Sequence, residues 1–152
     1  MTRGDARELA VHLIYARDFT GEEPESIINI RLDKTYYPQL AQENQVYAER
    51  PSKAQAAYIE TVVTGVANRL DLLNEYIGNY AIGWDIRRIS RLTRAVMQLA
   101  IFEVLYVDDV PTGVAISEAV RIAKKYDGDD TGSFVNGILG AFARGLDSEV
   151  KA

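Results

Sequence analysis

Apolar residues in this chain recur every three to four positions, and no stretch alternates apolar and polar residues as a half-buried strand does. That rhythm confines the fold to packed helices. Over residues 6–17, steps of about 100° gather Ala6, Leu9, Ala10, Leu13 and Ile14 on one arc and set Asp5, Glu8 and His12 opposite, which predicts a surface helix docked on a core. Arg3 and Arg7, four apart, share one flank of that helix. Pro24 opens a short second helix over 22–32. Residues 33–51 read as a long connection, with or without a helical turn, whose tyrosines cover the core.

The second half continues the rhythm. Ser52 is a natural N-cap for a helix through Ala54, Tyr58, Val62, Gly65 and Val66, and 70–80 forms another with Leu73, Ile77 and Tyr80 as its stripe. Trp84 opens the next unit. Over 86–106 the apolar arc holds Ile89, Leu92, Val96, Leu99 and Ala100, with Arg87, Arg91 and Arg94 elsewhere and a break near 90–93. Pro111 is a boundary before a helix over 114–126, which buries Ile116, Ala119, Val120 and Ala123 and ends with Lys124 and Lys125 where the helix dipole favours cations. The acidic run at 127–130 is the turn before the last helix, which Asp130 or Thr131 can cap. The fold class is all-α, a helical bundle of about seven helices.

Composition narrows the function. The lone His12 and the absence of cysteine exclude a thiolate metal site, a disulfide framework and a Cys/His catalytic pair. No phosphate-cradling glycine loop is present, and the acidic run lacks the later ligands of a calcium loop, so no metal, no cofactor and no enzymatic turnover are expected. Without a signal peptide or membrane span, the chain reads as soluble and cytoplasmic. Net charge is −5, yet residues 84–125 hold 7 Lys/Arg against 5 Asp/Glu. An acidic whole does not coat nucleic acid by charge, but a local basic strip can hold one RNA site.

Two features remain open on the residues alone. Glu103 falls on the apolar arc, where it is either satisfied internally or meets a partner. In the last helix Ser133, Gly137 and Ala141 stand four apart, a small-residue stripe that allows a close helix crossing and offsets the low helix propensity of glycine. Phe134 either enters the core or presents a ring for base stacking, and Asn136 offers amide donors and acceptors.

The motifs RxxARELAVHLIY from Arg3, YIETVVTGV from Tyr58, WDIRRIS from Trp84, RAVMQLAIFEVLY from Arg94, VPTGVAISEAVRIAKKY from Val110 and SFVNGILGAF from Ser133 together resemble the NusB transcription antitermination family, in order and over most of the chain outside 21–51. The resemblance implies one RNA-binding domain of two packed helical subdomains, about 1–80 and about 81–146. It implies binding of the boxA element in nascent ribosomal RNA transcripts together with the ribosomal protein NusE, within the RNA polymerase antitermination complex. It places RNA contacts at Arg3, Arg7, Asp130 and Phe134 and puts Glu103 at the ribosomal-protein interface, while Asn136 completes the family's FVNG motif. Lys124 or Lys125 is a further candidate phosphate holder, and Asn136 a candidate for reading base edges. The resemblance leaves open a homodimer that covers the RNA surface, and an adaptor that keeps the protein partner with weak or lost RNA binding. Gly4 and Asp5 interrupt the arginine-rich start of the family, and Gln98 stands where an arginine is common.

Overall fold

A computed structural model describes residues 1–34, 36–84 and 89–151, with side chains described through 148. Among the described residues there are eight α-helices, one 3₁₀ turn and no strand. The expected positions of Ile86 and Arg87 lie outside the described residues. None of these helices is long and apolar enough to cross a membrane.

The chain divides into two compact units, Met1–Asn68 and Arg69–Ala152. The first holds α1 (Arg3–Thr20), α2 (Pro24–Arg31), the single turn α3 (Tyr37–Leu40), the 3₁₀ turn Gln45–Tyr47 and α4 (Lys53–Asn68). Each boundary has a local cause. Pro24 starts α2, and Gly21 ends α1 in the left-handed region at φ 67°. Ser52 caps α4 reciprocally: its Oγ accepts from Gln55 N at 3.2 Å while Gln55 Oε1 accepts from Ser52 N at 2.9 Å.

The 33–51 segment is ordered around its tyrosines. Tyr37 and Tyr47 are buried edge to face at 5.5 Å, the Tyr37 hydroxyl donates to the Glu49 carbonyl at 2.9 Å, and the Tyr47 hydroxyl lies 2.7 Å from His12 Nδ1. This cover corrects the expected polar back of α1. Glu8 is 1% exposed and His12 is bonded to the Tyr47 hydroxyl, so a side of α1 that periodicity assigns to solvent is covered.

The second unit holds α5 (Leu70–Tyr80), α6 (Arg91–Tyr106), α7 (Thr112–Asp127) and α8 (Asp129–Lys151). Here α5 packs on α6 and α8 and so falls in one unit with the C-terminal helices. Phe142 anchors the unit, edge to face with Tyr76 at 5.1 Å and Tyr80 at 6.2 Å. Helices α7 and α8 are joined by Gly128 alone, at φ 92°, a backbone shape that side chains resist.

The glycines of α8 correct the expected crossing. Gly137 has open space where a β-carbon would sit and Ser133 is exposed, so among the described residues no backbone approaches at those two positions. The close approaches are elsewhere: the alkyl stem of Lys124 crosses Gly132, and the Tyr80 hydroxyl abuts Gly145.

Candidate nucleic-acid interface

At the start of α1, Thr2 Oγ1 accepts from Asp5 N and Asp5 Oδ2 accepts from Thr2 N, each at 3.0 Å. Asp5 therefore interrupts the arginines because it closes a capping box. Two positive groups follow. The Arg3 guanidinium lies 4.4 Å over the Tyr58 ring and that of Arg7 lies 5.8 Å from the same ring, both within cation–π range. Their exposure differs sharply. Arg3 is exposed, whereas Arg7 is 4% exposed and so adds positive potential here rather than a hand for a phosphate.

In the second unit the candidate residues gather where α7 meets α8. A groove of about 690 Å³ is lined by Trp84, Ser90, Thr93, Asp127, Asp130 and Phe134 among others. Phe134 is partly exposed and meets Trp84, itself 62% exposed, edge to face at 4.7 Å. One wall is fixed by hydrogen bonds: Asp127 Oδ2 accepts from Ser90 Oγ at 3.0 Å and Thr93 Oγ1 at 2.7 Å, while Ser90 Oγ caps α6 by accepting from Thr93 N at 3.1 Å. Asp130 corrects its expected capping role, because α8 already begins at Asp129 and Asp130 lies in its first turn, exposed. Two carboxylates at that helix start counter the positive end of the dipole.

The remaining candidates divide. Lys124 and Lys125 are exposed in the last turn of α7, Lys124 laid over Gly132 and the Lys125 ammonium 5.4 Å from the Tyr126 ring. Asn136 is exposed but stands two residues from Phe134, about 200° around the helix. The structure does not bring ring and amide to one face.

Glu103 is 0% exposed and corrects its expected place on a partner surface, since α6 is buried along this stretch on nearly every side. Gln98 is also internal, with Nε2 donating to Asn74 Oδ1 at 2.8 Å, which ties α6 to α5.

Sequence reasoning missed Tyr58, filed as one more apolar helix position, and Trp84, noted only as the start of a unit. The signal for Trp84 was that the lone tryptophan of the chain stands directly after a glycine, beside the charged residues Asp85, Arg87 and Arg88.

Residues 4–144 match the NusB family. A transcription antitermination protein NusB from Symbiobacterium thermophilum is 32% identical over 146 residues, covering 96% of this chain and 92% of that protein. Among solved structures, NusB from T. maritima superposes with a TM-score of 0.77 at 29% identity, covering 95% of this chain and 92% of the other. A structure of the antitermination factors NusB and NusE in complex with dsRNA gives 0.73 at 22% identity, covering 94% and 96%.

Proposed function

The chain belongs to the NusB family, and on that premise we propose that it is a transcription antitermination factor that binds boxA-type RNA of nascent ribosomal RNA transcripts together with the ribosomal protein NusE and modulates elongation by RNA polymerase. The observation that carries this reading is the family match from residue 4 to 144, matched in turn by relatives along nearly their whole length. The protein acts in the cytoplasm as a scaffold and makes no bonds of its own.

Arg3 holds a phosphate, aided by the positive end of α1 and by the field of Arg7. Lys124 and Lys125 add phosphate contacts that carry affinity and salt dependence without reading sequence. Sequence is read on splayed bases. Phe134 offers a face for stacking, and the Asp130 carboxylate, which can only accept, selects base edges that donate, such as cytosine N4 or the guanine amino group. Asn136, on another face of α8, meets a different nucleotide or the partner. In place of the buried Glu103, the exposed pair Tyr15 and Phe19, edge to face at 5.0 Å, offers the protein partner an aromatic patch.

The adaptor reading is favoured by one observation, the burial of Arg7, which leaves Arg3 as the exposed arginine of the pair at the start of α1. Binding of boxA RNA and of a shuffled RNA, each with and without NusE, separates the two. The antitermination reading expects boxA to bind more tightly than the shuffled sequence and more tightly still with NusE. Equal binding of both RNAs with NusE present sinks it, and NusE binding without any RNA contribution establishes the adaptor.

A further inference from the structure

Tyr58 sits in α4, 7% exposed, and its ring faces two guanidinium groups of α1, at 4.4 Å for Arg3 and 5.8 Å for Arg7. We propose that Tyr58 is a positioning residue for RNA, a fixed ring that holds the Arg3 guanidinium ready for a phosphate. The inference rests on the reading above that Arg3 meets RNA.

The physical case starts from the flexibility of arginine. A long exposed side chain that clamps a phosphate loses rotamer freedom, and that loss weakens the contact unless the side chain is ordered beforehand. Contact with a ring supplies part of that order. The guanidinium it steadies carries the planar fork that suits two oxygens of one phosphate. The ring itself is immobile because α4 packs on α1 along the unit's core.

Arg7 explains why a ring is needed at this place. It lies four residues from Arg3 on the same helix, where like charges repel, and the positive end of α1 adds to that repulsion. The negative face of the Tyr58 ring offsets part of it. The same packing puts Tyr58 beyond direct reach of RNA, so its effect runs through Arg3.

The test uses the full chain with NusE and boxA RNA, comparing the unaltered protein with Tyr58→Phe, Tyr58→Leu, Arg3→Ala and the Arg3→Ala/Tyr58→Leu double variant. Tyr58→Phe keeps the ring and is expected to bind as the unaltered protein does, whereas Tyr58→Leu weakens RNA binding by about 2- to 5-fold. The double variant is expected to bind no more weakly than Arg3→Ala alone, because both changes remove one contact. Independently of RNA, the δ-protons of Arg3 resonate upfield of their random-coil position in the unaltered protein and in Tyr58→Phe. That shift is readable whether or not Tyr58→Leu folds.

Random-coil Arg3 shifts in the unaltered protein overturn the proposal. So do additive losses in the double variant when Arg3→Ala by itself binds less RNA, and that outcome leaves the reading of Arg3 as a phosphate contact intact. Unchanged RNA affinity in Arg3→Ala overturns both that reading and the proposal, even with the ring shift present.

Discussion

The start of α1 and the start of α8 are both positive ends of long helices beside aromatic rings, yet they are loaded with opposite charge. At α1 the acid, Asp5, is turned inward to a backbone N–H in the capping box, and Arg3 and Arg7 gather over Tyr58. At α8 Asp129 and Asp130 counter the helix dipole, and the ring beside them, Phe134, is left partly exposed in a groove with Trp84. In the proposed reading the first arrangement holds a phosphate, whereas the second offers a base stacking and the acceptance of hydrogen bonds, with Lys124 and Lys125 at the adjoining end of α7 as its phosphate contacts. On that reading an acidic protein binds RNA by dividing the two tasks among separate groups.

The largest effect that sharpens this contrast is expected at Phe134. Replacing it with Ala removes a stacking face worth about 1–3 kcal/mol per base, so boxA affinity falls steeply while the dependence on salt stays as it was. Titrations at several salt concentrations check both halves. A shallower salt slope in Phe134→Ala would mean that the ring also positions a phosphate contact.

Next in size is the cap. Thr2→Ala breaks the box that turns Asp5 inward, and is expected to destabilise the first unit by about 1 kcal/mol in denaturant unfolding and to weaken RNA binding by freeing a carboxylate beside Arg3. Stability loss without any RNA effect would show that the orientation of Asp5 is irrelevant to binding.

A pH prediction concerns the cover that supports α1. Burial, with the charge of Glu8 among the lesser contributors, pushes the Tyr47 phenol up from 10.0 to about 12. A raised folded-state value means that the neutral phenol is favoured by folding, so its contribution is complete below about pH 10 and is lost as pH climbs through about 12. Thermal melts across that window should fall more steeply for the unaltered protein than for Tyr47→Phe. The smallest effect is expected from Lys125→Ala, an exposed cation, which should reduce the salt slope by no more than about 0.7 and leave stability unchanged within about 0.5 kcal/mol.

Much of this body was legible from residue order, because its determinants are local. Pro24 and Ser52 act through their own backbone neighbourhood, and the core positions Leu9, Leu13, Val62, Ile77 and Phe142 follow helical spacing. What stayed hidden depends on residues far apart in the chain. The cover over His12 comes from a tyrosine 35 positions away, and the pairing of Arg3 with Tyr58 spans 55. The stripe at Gly137 misled for the same reason, since spacing can say that a helix is able to pack closely at a place but not that a neighbour is there. Asp5 read as a break in a basic run until its hydrogen bond to Thr2 gave it a role.

The most direct test of the division between a phosphate-holding and a base-reading helix start is the salt dependence of boxA binding, measured with NusE present for the unaltered protein and for Arg3→Ala. Removing one phosphate contact on single-stranded RNA should make the plot of log affinity against log salt shallower by about 0.7. An unchanged slope would contradict the account, because the start of α1 would then hold no phosphate.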